Sequence, residues 1–492
     1  MSLKSASSAD GPTPGSRGGP TDPDGPTGKL ANWLAATTLD DVPDPVRDRA
    51  KHLLLDGVAC ALVGAKLPAS RIAVEALAAL DGAGDSVITG WGGLTTGPLT
   101  AAMLNSGFIQ GFELDDYHPF GPLHSNAVVL PALLAAAGHR PETTGARFLL
   151  AAVLGYEVGP RVGMALHGAD IMIRGWHSGT VFGPPAAAAA AGTLYHLDAV
   201  GFEDALGMAC TQAGGLMAVQ FESMVKRMHH GFAARNGLVA AVLAASGYTG
   251  IKRVFEREYG GFLTVFGQGQ LPDPSRIAGT LDEIWETERI AVKPYAACGG
   301  LHAAMDAALQ LRGELQLSPE DIEKIAGIRI DLARGMYEKC GWTPSRPLEP
   351  IGAQMNAAYA VAVALVDGAG LFDQFTRERA GREDVWRLIG RTETRHDPVY
   401  DEGGLEQQLT TRLRLTLGDG TVHETVVVQP RGVGENRLSN AEIVEKYRAL
   451  TRRAIDPARS QALEEAVLGL DTLPDIGVLT ALLQPPVRSP GA

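Results

Sequence analysis

The chain has 492 residues, 45% of them hydrophobic and 20% charged, with a formal net charge of −13. That length allows a large core and suggests about two to four domains, and the acidic balance argues against a nucleic-acid binder, which presents a basic patch. The cysteines Cys60, Cys210, Cys298 and Cys340 lie far apart with no CxxC pair, which argues against a zinc ribbon or close-spaced iron–sulfur motif and fits reduced thiols of the cytoplasm.

Residues 1–28 are rich in Gly, Pro, Ser and Asp and lack the apolar run of a signal peptide, so a disordered tail is expected there. "PDPVRDRAKHLLLDGVACALVGA" opens a helix at Pro43 and Asp44, with apolar residues at i, i+3 and i+4. "TTGPLTAAMLNSGFIQGFEL" predicts a second helix. "NAVVLPALLAAAG" predicts a third, capped by Ser125 or Asn126 and kinked at Pro131. "GARFLLAAVLGYEVGPRVGMAL" is apolar nearly all round and should be buried. "GPPAAAAAAGTLYHL" has prolines suited to a first turn, and "GFAARNGLVAAVLAASGYTG" is again helical. The many Ala and Gly let backbones approach closely, as in a tight all-α bundle. No apolar run has the length and flanks of a membrane span.

The texture changes near residue 290. "IEKIAGIRIDLA" alternates like a strand, and "LTTRLRLTLGDGTVHETVVVQP" predicts a hairpin around "GDG". "QMNAAYAVAVALVDG" between them reads as a helix. Residues 289–429 therefore read as an α+β unit. "SNAEIVEKYRALTRRAI" and "SQALEEAVLGL" return to helix, each opened by Ser or Asn, and residues 483–492 read as a second disordered tail.

Four stretches carry chemistry. "GFELDDYHPFGPLHSN" gathers Glu113, Asp115, Asp116, His118 and His124 directly before an apolar helix. It is either a solvated acidic loop or a proton-transfer site at a cluster of helix ends, where carboxylates shift in pKa and steer imidazoles. "RGWHSGTVFGPP" sets His177 among glycines. In "FESMVKRMHHGFAARNG" a helix would place Lys226, His229 and His230 at i, i+3 and i+4, with cationic character suited to an anionic substrate. A solvated basic turn is the plainer reading, and the absence of HExxH spacing argues against a metal. "AVKPYAACGGLHAAMDAAL" puts Cys298 in a Gly-rich turn before a helix on which His302 and Asp306 can pair at i, i+4.

Six ordered blocks, "GFELDDYHP…HSNAVVLPALLA", "GYEVGPRVG", "GWHSGTVFGPPAAAAAAG", "KRMHHGFAARNG", "KPYAACGGLHAAMDAA" and "AAYAVAVALVDG", resemble those of the MmgE/PrpD family. That family holds 2-methylcitrate dehydratase, cis-aconitate decarboxylase and iminodisuccinate epimerase. The resemblance runs from about residue 29 to 480 and implies a mainly α fold, in which a large helical domain (29–288 and 430–482) carries an inserted α+β lid (289–429). It also implies a homodimer, no metal or other cofactor, and a small anionic carboxylate as substrate, while the acidic balance and the lack of a span argue against nucleic acid and membrane as partners. By position, the family's acidic residue falls on Glu113, its histidines on His118, His124 and His177, its catalytic lysine on Lys226 followed by His229, and a lid histidine of the decarboxylase on Cys298.

The shared chemistry is proton abstraction beside a carboxylate. Lys226 would stabilise the carbanion, His124 or His177 would move the proton, and Glu113 or Asp116 would orient the imidazole. His118, His229, Cys298 and His302 would bind substrate. The expected reaction is a dehydration of the 2-methylcitrate dehydratase type, ahead of an epimerisation or an inactive dimeric scaffold. Cys298 in place of a histidine, with one extra residue before His124, argues against a cis-aconitate decarboxylase, because a thiol is a weaker acid than an imidazole near neutral pH. His302 could reach in and compensate.

Overall fold

The computed structural model describes residues 18–168, 170–402 and 407–489. The fold is mainly α. Asp44–Gly64 begins where Pro43 and Asp44 predict it and is buried along most of its length. Pro98–Ile109, Ser125–His139 and Gly145–Ala165 pack against it, and Ser178–Leu194 and Lys226–Ala245 pack against those helices and each other. Small residues set the spacing. A Cβ on Gly237 would lie 2.4 Å from the Ala187 Cβ and 2.5 Å from the Pro184 carbonyl oxygen, so the Lys226–Ala245 and Ser178–Leu194 helices meet backbone to backbone.

Gly145–Ala165 is long and apolar enough to cross a membrane, yet it lies inside the fold, and its Glu157 and Arg161 form a buried pair at 3.2 Å. The prolines of the Ser178–Leu194 helix are not in its first turn as predicted. The helix starts earlier, at Ser178, and contains Pro184 and Pro185. Pro184 cannot donate to the Thr180 carbonyl, and the Gly214 N–H does so instead at 3.2 Å.

From residue 327 a four-stranded sheet forms in the order Thr392–His396, Gly327–Leu332, Thr411–Thr416, Val422–Val427. The first pair is parallel and the other two antiparallel, with Ile330 opposite Thr394 on one side and Leu413 on the other. The hairpin turns at "GDG", with Gly420 at φ +87. Thr411–Thr416 alternates between buried and half-buried residues, as its sequence predicts. Asn440–Ala454, opened by a Ser439–Glu442 capping box, packs back on Asp44–Gly64, where Lys446 pairs with the buried Asp56 at 2.7 Å.

Both tails were expected to be disordered over more residues than the fold allows. Pro26–Ala36 is already helix, and the Thr21 and Thr27 hydroxyls donate to Glu203 (3.1 Å) and Glu256 (2.6 Å). At the other end, the Val487 N–H donates to the Gly90 carbonyl at 3.2 Å. The remainder of each predicted tail, residues 1–17 and 490–492, lies outside the described residues. Two predicted helix starts also move. Ser125–His139 has His124 at its N-cap, and Pro457–Leu468 is capped by Asp456 rather than by a Ser or Asn.

A short antiparallel ribbon joins the two halves of the chain. Asp116 pairs with Val292 and Tyr117 with Ala291. It draws the acidic loop and the "AVKP" segment together and so builds the site.

Candidate active site

Glu113 occupies the left-handed region, at φ +59, although it is not glycine. Such a backbone costs about 1–3 kcal/mol and persists where its surroundings over-determine it. Here the side chain supplies that constraint. It is 2% exposed, and its Oε1 accepts from Lys226 Nζ, from Arg227 Nη1 at 2.9 Å and from Gln110 Nε2 at 2.5 Å. Its Oε2 accepts from Lys293 Nζ at 2.9 Å. Burial pushes the Glu113 carboxyl up, but Lys226, Lys293 and Arg227 outweigh burial and hold it well below the usual carboxylate range. Burial in turn lowers the Lys226 ammonium despite Glu113, which makes it a readier proton donor than a free lysine.

Asp115 and Asp116 have different tasks. Asp115 Oδ2 lies 2.8 Å from His124 Nδ1, and its Oδ1 lies 3.5 Å from Lys293 Nζ. Burial raises Asp115, and His124 with Lys293 bring it below its usual value. The pairing places the His124 proton on Nδ1 and leaves Nε2 for substrate. Glu113 or Asp116 was expected to orient the imidazole, and neither does, because Glu113 is taken up by Lys226, Arg227, Lys293 and Gln110. As for Asp116, it accepts from the Asn126 N–H at 3.0 Å and so caps the Ser125–His139 helix. Burial, with Asp115 and Asp56 as neighbouring charges, raises its carboxyl well above the usual range.

Behind His124 stands a cluster of imidazoles. His230 packs edge-on against His124 (4.8 Å between ring centres) and His177 (5.3 Å), and His177 packs against His229 (4.4 Å). Lys226, His229 and His230 share one face because the Lys226–Ala245 helix begins at Lys226. His230 is fully buried with both ring nitrogens unpaired among the described residues, and it fits only because residue 179 is glycine, where a Cβ would lie 2.2 Å from Nε2. Burial lowers His177 and His230 well below an ordinary imidazole and His229 to about 4. These three are therefore neutral near pH 7.

One small cavity, about 90 Å³, is lined by Glu113, His124, His177, Lys226 and Cys298 among the predicted residues. A cavity of that size excludes a nucleotide. A much larger cavity, about 1080 Å³, is an open groove over Phe120, Arg276 and Arg437 that holds none of the predicted residues, so size does not mark the site here.

Three predicted substrate ligands do not line the small cavity. His118 donates from Nε2 to Glu286 (3.1 Å) and accepts at Nδ1 from the Gly121 N–H (2.9 Å), which makes it a buried structural link. His229 sits behind His177. His302 does not reach in. Its Nε2 lies 3.3 Å from the Ala297 carbonyl oxygen, its ring packs against Tyr117 and Tyr295, and burial lowers it to about 3. Asp306 bonds Tyr295 rather than His302.

The structure adds Asp115, Lys293 and Lys339 to the site. Lys293 is 1% exposed, and a lysine inside the apolar run "IAVKPYAA" was the available signal. Lys339 comes from the Arg334–Cys340 helix and lies beside Cys298. The Cys340 thiol hydrogen-bonded to Cys298 lowers the Cys298 thiol, burial opposes this, and Lys339 reinforces it, leaving Cys298 well below a free thiol.

Residues 28–274 match the MmgE/PrpD N-terminal domain and residues 295–472 the MmgE/PrpD C-terminal domain. The chain is 45% identical to a cis-aconitate decarboxylase-like protein, oryM, of Aspergillus oryzae, over 93% of this chain and 97% of that one. It is 41% identical to the cis-aconitate decarboxylase of Aspergillus terreus over 95% and 97% of the two chains, and 27% identical to that of Homo sapiens over 94% and 95%. With both family domains matched in order across its length, the chain belongs to the MmgE/PrpD family.

Proposed function

We propose that the protein is a cofactor-free lyase that decarboxylates cis-aconitate or a close tricarboxylate. The observation that carries this reading is a cavity with His124, Lys226 and Lys293 on its wall, in a chain 41–45% identical to relatives named for that reaction.

cis-Aconitate has a carboxylated methylene next to its alkene. Loss of CO₂ leaves the bonding pair as a new terminal alkene. The old π pair takes one proton at its far carbon, and itaconate results. Lys226 and Lys293 hold carboxylates while charge moves across the alkene. His124 delivers the proton from Nε2, and Asp115 steadies the imidazolium. His177 is held neutral and serves as a wall rather than as the acid.

The expectation against a decarboxylase rested on Cys298 in place of a histidine and on the extra residue before His124. Cys298 has Lys339 beside it, and His124 keeps a carboxylate partner despite the extra residue before it. Decarboxylation therefore replaces dehydration in this reading. Residues 289–429 act as the lid, and the protein works as a cytoplasmic homodimer without metal or nucleotide, engaging neither nucleic acid nor membrane.

The test is incubation with cis-aconitate in D₂O followed by NMR. The expected product is itaconate carrying one deuterium on the saturated methylene, with one CO₂ released per turnover. Hydration of the alkene, or exchange without CO₂ release, would reject the reading.

A further inference from the structure

The cavity wall has three lysines, and two are already matched. Lys226 pairs with Glu113, and Lys293 pairs with Glu113 and Asp115. Lys339 is in no ion pair among the described residues. Its polar neighbours are sulfurs, with Met172 Sδ at 3.7 Å and the Cys298 thiol beside it. It lacks a carboxylate partner among the described residues, a thioether is only a weak acceptor, and the anionic character beside it comes from the acidified Cys298 thiol.

Lys339 also has a particular place. A second cavity, about 300 Å³, adjoins the first, and Met172, Met217, Met336 and Lys339 line both. Lys339 therefore stands at the neck between outer vestibule and inner site. The Arg334–Cys340 helix that carries it follows the Gly327–Leu332 strand and packs against both the Asp170–Ile173 turn and the Gly299–Leu301 turn. It brings Lys339 to the cavity from a different element than those that carry Lys226 and Lys293.

We propose that Lys339 is the specificity-determining ligand for the outermost carboxylate of a tricarboxylate, the group that distinguishes such an acid from a dicarboxylate. This rests on the reading that the cavity takes a small polycarboxylate, and it goes beyond that reading by assigning the selection of the third carboxylate to one residue. Lys226 and Lys293 hold the inner carboxylates, whereas Lys339 closes the ammonium–carboxylate contact at the neck.

The test is calorimetric binding, without turnover, of propane-1,2,3-tricarboxylate and of pentanedioate to the full chain. The wild type, Lys339→Met, Lys339→Gln and Lys339→Arg are compared after circular dichroism has confirmed folding. The wild type is expected to prefer the tricarboxylate. Lys339→Met and Lys339→Gln should lose about 10- to 100-fold of tricarboxylate affinity, the scale of one hydrogen bond to a charged group. Their pentanedioate affinity should stay within about 2-fold, and Lys339→Arg should retain most of the preference. Equal weakening for both acids, no weakening for either, or a wild type that binds neither would overturn the proposal. Failure of decarboxylation is separable. A wild type that releases no CO₂ yet shows a Lys339-dependent tricarboxylate preference removes the reaction and leaves this assignment standing. Turnover that is indifferent to Lys339 does the reverse.

Discussion

Asp115 Oδ2 meets His124 Nδ1 at 2.8 Å, while the next residue, Asp116, turns to the Asn126 N–H at 3.0 Å. Two adjacent carboxylates thus divide into one that serves an imidazole and one that serves a helix end. Asp115→Asn should therefore lower kcat by about 10²-fold or more, on the scale of general acid–base catalysis, with KM little changed. Asp116→Asn should chiefly lower the melting temperature. Steady-state kinetics beside thermal unfolding of both variants checks this, and the reverse pattern would refute the division.

Glu113 holds Lys226, Arg227 and Lys293 together in a buried cluster. Glu113→Gln leaves those cations without their common anion, and the expected loss is about 3–5 kcal/mol, as for other broken buried ion pairs. Because Glu113 lies well below its ordinary range in the folded state, its contribution is fully present above the unfolded carboxylate pKa and disappears as pH falls through the folded value. Denaturant titrations of wild type and variant should differ most at neutral pH and converge in acid.

Buried imidazoles add a second, earlier acid sensitivity. Burial lowers His229 to about 4 and His302 to about 3, and His177 and His230 well below an ordinary imidazole. Below about pH 6.5 the unfolded chain binds protons there that the folded chain refuses, so stability falls as pH drops. Each such group contributes up to about 1.4 kcal/mol per pH unit between its two values. Unfolding free energy followed from pH 7 to 5 should show this slope, and His302→Phe should flatten it. Because His302 lies outside the cavity, kcat for that variant should change by no more than a few-fold.

Gly179 and His230 test packing in the site. A Cβ at position 179 would lie 2.2 Å from His230 Nε2. Gly179→Ala should cost about 1–3 kcal/mol, as overpacked cores do, and should disturb His124 through its contact with His230. Adding His230→Ala should restore much of the stability, because the clash is with that ring. A double-mutant cycle measures the coupling, and simple additivity would show that the clash is relieved elsewhere.

The frame of this molecule was legible wherever local chemistry decides it. Pro43 and Asp44 start a helix, "GDG" turns a hairpin, and the 226–230 spacing aligns Lys226 with two imidazoles. What was not legible depends on which way a side chain points in extended backbone. Asp115 and Asp116 are adjacent, so they face opposite sides, and only the pairing of Asp116 with Val292 decides which one meets His124. His302 looked able to reach the site because sequence gives its separation from Cys298 but not the bond to the Ala297 carbonyl that turns it away. Lys293 and Lys339 reach the cavity from the far half of the chain, and no short motif announces such a meeting.

The ribbon between residues 116–117 and 291–292 also sets a timetable for the chain's birth. Glu113 and Lys293 are 180 positions apart, so at ordinary ribosomal speed roughly 9–36 s pass between their syntheses. Throughout that interval the acidic loop lacks the lysine that bridges Glu113 and Asp115, and the ribbon has only one strand. The nascent helices can pack during this time, but the charges of the buried cluster cannot close on one another. Activity should therefore appear only after the second half has emerged, and a ribosome stalled before Lys293 would hold an N-terminal portion that is partly folded and chemically inert.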